Sequence, residues 1–129
     1  MIVDASALLA IVLREEDHKR YAQAIADAVD DSLISPINYV EAAIRADKLG
    51  EEVGLALDEI MQTGNVEIAA VTREQTLLAR DAYRQFGKGN HPARLNLGDC
   101  FAYALAKARN EPLLFKGNDF RLTDIEAAL

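Results

Sequence analysis

Apolar residues along the chain fall into short runs that alternate with longer stretches at helical spacing. Met1–Val3 reads as a strand and Ala5–Leu13 as a helix with an apolar stripe. In Glu15–Val29, Tyr21, Ala22, Ile25, Ala28 and Val29 recur as one face of an amphipathic helix. Ser32-Leu33-Ile34 is a short apolar run closed at Pro36, a residue suited to the first turn of a helix, and that helix runs to Leu49 before Gly50. A further helix spans Glu51–Gln62 and ends near Thr63-Gly64. Val66–Val71 is strand-like, and Thr72 suits the N-cap of a helix through Phe86. The stretch GKGNHPARLNLG is rich in Gly, Asn and Pro and predicts a loop. Asp99–Arg109 is an alanine-rich helix, Leu113–Phe115 a strand, and Asp124–Ala127 a candidate tail strand.

Short apolar strands separated by helices predict an α/β fold, a sandwich of helices around a mainly parallel sheet. With 129 residues, no repeat and no linker, residues 1–129 form one predicted domain. In such sheets ligands bind beyond the carboxyl ends of the strands. That edge is the place to look for chemistry.

Composition narrows the classes. Half the residues are hydrophobic and 27% charged, as in ordinary globular proteins. No run approaches a membrane span, and the start lacks the basic-then-apolar pattern of a secretion signal. The single cysteine, Cys100, excludes an internal disulfide and points to a reducing compartment, the cytoplasm by default. A net charge of −7 argues against a protein that coats nucleic acid. The charge is uneven, however. Arg73, Arg80, Arg84, Lys88 and Arg94 face only Glu74 and Asp81 within residues 73–94, a window of +3 that leaves −10 elsewhere. A solvated helix face or a local contact for a polyanion would both produce it.

Four acids are placed to meet at the sheet edge. Asp4 follows the first strand, Glu41 lies in the helix after the second, and Asp119 lies four residues after Leu113–Phe115. Asp99 opens the helix before that strand, so its place is the least secured by topology. Each has an ordinary explanation: Asp4 as an N-cap, Asp99 at the positive end of a helix, Asp119 as a turn residue. Glu41 is harder to explain so. Ile37, Val40 and Ile44 mark a stripe expected to face inward, which would aim Glu41 into the interior without a basic partner. Ala102 and Ala106, on the face of Asp99, are small enough to leave room for a ligand. Oxygen donors without paired His or Cys suit Mg²⁺ or Mn²⁺ rather than zinc. Neither GxxxxGK[ST] nor GxGxxG is present, and Ser6 has no histidine partner.

The stretches MIVDASAL, NYVEAAI, LNLGDCFAYALAKA and PLLFKGNDF followed by TDI resemble, in order and over essentially the whole chain, the PIN-domain ribonucleases. Among these the VapC toxins of bacterial toxin–antitoxin pairs are most similar. The resemblance implies a three-layer α/β/α sandwich and a metal-dependent endoribonuclease, a hydrolase acting on RNA. It implies that Asp4, Glu41, Asp99 and Asp119 form a catalytic Mg²⁺ or Mn²⁺ site, with Asp4 and Asp99 as direct ligands and Ser6 and Asn96 as polar support. Relatives often carry an acid where this chain has Asn118, which leaves open whether position 118 or 119 is the fourth corner. The resemblance also implies a VapB-type antitoxin laid across the helices around Ile37–Ile60, a homodimer and a larger toxin–antitoxin complex. The competing reading is a non-catalytic binding or assembly protein whose acids are caps and turns. A receiver-like phosphoryl-transfer domain ranks last, because DASA holds one acid and VEIAAV ends without one.

Overall fold

The computed structural model describes residues 1–129. Four short strands, β1 (Ile2–Val3), β2 (Ser32–Ile34), β3 (Val66–Ile68) and β4 (Leu113–Leu114), form one sheet in the order β3-β2-β1-β4. Every pairing is parallel, with Ile2 opposite both Leu33 and Leu113 and Val3 opposite Leu114. Six helices connect them: α1 (Ala5–Val12), α2 (His18–Ala26), α3 (Pro36–Leu49), α4 (Glu51–Thr63), α5 (Arg73–Phe86) and α6 (Leu97–Arg109). A 3₁₀ turn, Asp119–Leu122, follows β4.

Side chains alternate across the strands, and so divide the core in two. Ile2 and Leu113 point into a cluster with α5 and α6, built on Ala79, Leu95, Tyr103 and Leu105. Val3 and Leu114 point the other way, into α1–α4 with Leu8, Ile25, Ala46 and Leu57. The sheet is therefore the middle of three layers, as the resemblance implies. Because strands buried on both faces need continuous apolar runs, dipeptides such as Ile2-Val3 and Leu113-Leu114 suffice.

Several boundaries differ from the sequence reading. Helix α2 is shorter at both ends than Glu15–Val29: it starts at His18, stops at Ala26, and leaves Val29 99% exposed. The Asp30-Asp31 pair beyond favours solvent over a further apolar turn. Strand β3 ends at Ile68, and the tail contributes a single bridge, Ala127 to Leu113, rather than a strand. Helix α6 begins at Leu97, two residues before Asp99, because Asn96 caps it.

The largest correction concerns α3. Its buried positions are Asn38, Ala42 and Ala46, while Val40 and Ile44 are about half exposed. Ile37, Val40 and Ile44 instead line an open groove of about 550 Å³ with Pro36, Glu41, Asn96, Leu97 and Gly98. Small residues face inward because α3 packs closely against α1 and α4. The larger side chains are left outside.

Candidate active site

A parallel sheet collects everything that follows its strands at one edge, and helices joining parallel strands run back against them. Asp4 follows β1 and Asp119 follows β4. Helix α6 precedes β4, so its first turn, with Asp99, starts at that same edge. The Asp4 amide donates to Leu114 O (2.9 Å), and Ser6 Oγ accepts from the Lys116 amide (3.0 Å), which ties the ends of β1 and β4 together.

Asp4 caps α1. Its Oδ2 accepts from the Ser6 amide (3.1 Å) and from Ser6 Oγ (2.6 Å). Its Oδ1 has only Asn38 Nδ2 at 3.5 Å, at the limit of a hydrogen bond. The residue is 5% exposed, and no lysine or arginine pairs with it. Burial holds its carboxyl above the ordinary range, and the bonds from Ser6 oppose that rise.

Asp99 repeats the arrangement at the start of α6. Its amide donates to Asn96 Oδ1 (2.9 Å) and its Oδ2 accepts from the Asn96 amide (3.0 Å), a reciprocal capping box. The second oxygen, Oδ1, has no protein donor. Burial pushes this carboxyl up to about 6, the Asn96 amide pulls against it, and the charges of Asp4 and Asp119 add to the rise.

Glu41 reaches the same place from α3. The residue is exposed along its length, but its carboxyl end lies against Gly98 in the first turn of α6. Withdrawal from water pushes it up to about 7, with Asp4 and Asp99 contributing repulsion. Asp119 is exposed at the start of the 3₁₀ turn, and its charge reaches Asp99. Asn118 is exposed beside it and makes no capping bond. The four acids thus share one edge, where Asp4 and Asp99 repel Glu41 and Asp4 and Asp119 repel Asp99. No three His, Cys, Asp or Glu side chains converge closely enough to hold an ion as they stand.

The donor set suits a hard cation. It contains only oxygen, carries excess negative charge without a basic partner, and leaves one oxygen of Asp4 and of Asp99 without a strong donor. Lys116, two residues after β4, pairs instead with Glu15 and Asp17, the latter at 2.8 Å. Ala102 and Ala106 leave no room beneath Asp99, since both are fully buried in the core.

Three residues at the site escaped the sequence reading. Asn38 is 1% exposed and donates from Nδ2 to Gly98 O (2.9 Å), joining α3 to α6, while its Oδ1 has no partner. Its signal was a polar residue four before Ala42, hidden once the outer stripe was taken as the inner one. Gly98 and Lys116 gave no local signal, because their roles depend on helix packing.

The chain matches the PIN domain family over residues 1–126. It is 47% identical to ribonuclease VapC28 of Mycobacterium tuberculosis, an alignment covering 100% of this chain and 98% of that protein. It is 46% identical to ribonuclease VapC of Mycolicibacterium smegmatis, with 98% of each covered. The fold resembles the crystal structure of Mycobacterium tuberculosis VapC20, a toxin that cleaves the sarcin-ricin loop, with a TM-score of 0.77 at 16% identity over 96% of this chain and 95% of that one. The chain belongs to the PIN-domain family, in the branch of the VapC ribonucleases.

Proposed function

We propose that this chain is a single-domain, metal-dependent endoribonuclease that serves as the toxin of a type II toxin–antitoxin pair. The observation that carries this reading is the division of labour in Asp4 and Asp99. In each, one oxygen is fixed by a helix cap and the other lacks a strong donor, with no counter-charge beside a carboxylate that is buried in Asp4 and partly buried in Asp99. A cap alone does not need that. A surface aspartate caps a helix equally well and avoids the cost of burial.

Asp4 and Asp99 would hold Mg²⁺ or Mn²⁺ directly, and Glu41 and Asp119 would complete the donor set from either side. The bound ion supplies Lewis-acid stabilisation of phosphate charge and activation of water. Ser6 and Asn96 fix the two aspartates in orientation before any ligand arrives. Asn38 holds α3 against α6, which keeps Glu41 beside them. RNA meets the five exposed bases on α5 and the following loop, and α5 packs along α6. Phosphate contacts there position the strand without reading its sequence.

A VapB-type antitoxin fits the groove lined by Ile37, Val40, Ile44 and Leu97, because that apolar surface borders Glu41. A homodimer, a larger toxin–antitoxin assembly and a cytoplasmic location belong to the same proposal. No helix is long and apolar enough to cross a membrane.

The test is RNA cleavage by the purified chain with Mg²⁺, with Mn²⁺ and with EDTA, alongside Asp99→Asn. Asparagine keeps an oxygen for the capping box, so the variant should fold and fail to cleave. Cleavage undiminished by EDTA, or by Asp99→Asn at the wild-type rate, would overturn the metal-site assignment, and no cleavage under any of these conditions would favour the non-catalytic reading.

A further inference from the structure

Gly98 is buried in the first turn of α6, one residue before Asp99. Nothing in its backbone calls for glycine, since it is absent from the residues of positive φ. The constraint comes from another helix. A Cβ built on Gly98 would overlap Oε1 of Glu41 and lie 2.5 Å from its carboxyl carbon and 2.8 Å from Oε2. The three nearest atoms all belong to that one carboxylate, so the missing side chain is the space the Glu41 head occupies.

From these contacts we infer that Gly98 is a positioning residue: it seats the Glu41 carboxylate against α6, beside Asp4 and Asp99. The inference rests on the proposed metal site. Asn38, one turn before Glu41 on α3, donates to the Gly98 carbonyl at 2.9 Å. The same residue therefore fixes the approach of α3 through its carbonyl and receives the head of Glu41 through its empty side. Glu41 accepts no hydrogen bond from the protein, so this seat is what locates it. Alanine at position 98 would swing the flexible Glu41 head outward and leave both backbones in place.

The experiment compares wild type, Gly98→Ala, Glu41→Ala and the double variant by calorimetric titration with Mn²⁺ and by melting in EDTA. Gly98→Ala should melt no lower than wild type without metal, because glycine is the weaker helix former. Its affinity for Mn²⁺ should fall about 10-fold or more, as when a residue that orients a ligand is lost. The double variant should bind no more weakly than Glu41→Ala, since both changes remove the same carboxylate. If Gly98→Ala proves too unstable to titrate, a double variant that melts like Glu41→Ala still identifies Glu41 as the clashing group. Wild-type affinity in Gly98→Ala, additive losses, or a double variant that melts well below Glu41→Ala overturns the inference. Those results leave the metal site intact. Wild-type protein that binds no Mn²⁺ removes the metal site and this inference with it.

Discussion

Ser6 grips Asp4 twice, through its amide at 3.1 Å and its hydroxyl at 2.6 Å, and both bonds end on the same oxygen, Oδ2. Capping therefore consumes one side of the carboxylate and leaves the other, Oδ1, with only Asn38 Nδ2 at 3.5 Å. Being a cap and being a ligand are compatible for Asp4, because they use different oxygens. The two contributions can be separated by substitution.

Asp4→Asn keeps an acceptor for Ser6 and removes a buried charge that has no basic partner. Its metal-free melting temperature should match or exceed that of wild type. Asp4→Ala also removes the charge but loses the cap, at about 1 kcal/mol, so it should melt below Asp4→Asn. Saturating Mn²⁺ should raise the wild-type melt, since a ligand at 100 times its Kd contributes about 2.7 kcal/mol. Both variants should lose most of that gain. Thermal melts in EDTA and in Mn²⁺ decide it; an equal Mn²⁺ shift in all three proteins would reduce Asp4 to a cap.

The pH dependence of metal-free stability has a definite sign. Burial and mutual repulsion raise Asp99 to about 6 and Glu41 to about 7 in the folded protein, above the ordinary carboxyl range. Between pH 4 and 7 the folded state therefore holds protons that the unfolded chain releases. This contribution is complete below the unfolded values and is lost as pH rises through 6 and 7. Asp17, Glu111 and Asp124 are shifted down and lose their contribution only at more acid pH. Melts in EDTA should accordingly fall from pH 5 to pH 8, and Glu41→Gln should flatten the slope. Mn²⁺ should stabilise more at pH 8 than at pH 5, because ligands must be deprotonated to bind.

The basic stretch makes a separate prediction. Of its five bases, only Arg84 forms an ion pair, with Asp81 at 3.6 Å, and that pair is exposed. Changing Arg84, Lys88 and Arg94 to glutamate should weaken RNA binding, measured in an Asp99→Asn background, and should leave Mn²⁺ affinity unaltered when made in the wild-type chain. Three lost phosphate contacts should make the slope of log K against log salt shallower by about 2 for a single strand. Fluorescence anisotropy across a salt series measures it. An unchanged slope would place the RNA on another face.

What could be read without the structure divides along physical lines. The strands were visible at Ile2-Val3, Leu33-Ile34 and Leu113-Leu114 because each is apolar and bounded by polar or turn residues. Thr72 and Pro36 marked helix starts through local chemistry that needs no tertiary contact. Asp4 and Glu41 stood out for their order after strands, and the quoted motifs named the family. The face of α3 was misread because burial there follows close helix packing, which favours Ala42 and Ala46 over Ile37 and Ile44. Asn38 and Gly98 stayed hidden for the same reason. Their significance lies in the approach of α3 to α6, sixty residues apart in sequence, which no local pattern encodes.

Asn38 provides the last test, since it is the one fully buried amide at the junction. Its Nδ2 is shared between Gly98 O at 2.9 Å and Asp4 Oδ1 at 3.5 Å. Asn38→Ala removes the hydrogen bond that joins α3 to the Gly98 carbonyl, which keeps its place in the α6 ladder, and opens a small cavity, the lost bond costing about 0.5–1.5 kcal/mol. Asn38→Asp preserves the shape but replaces the donor with a carboxylate beside Asp4. Without metal, that buried like charge should cost more than the alanine change, by several kcal/mol if the group stays ionised. With Mn²⁺ the order should narrow or invert, because a cation held by Asp4 would offset the charge added beside it. A structural amide remote from any cation site would show the same ranking in EDTA and in Mn²⁺. Melting temperatures of the two variants, each with EDTA and with saturating Mn²⁺, therefore measure whether the Asp4 side of the α3–α6 junction faces a cation.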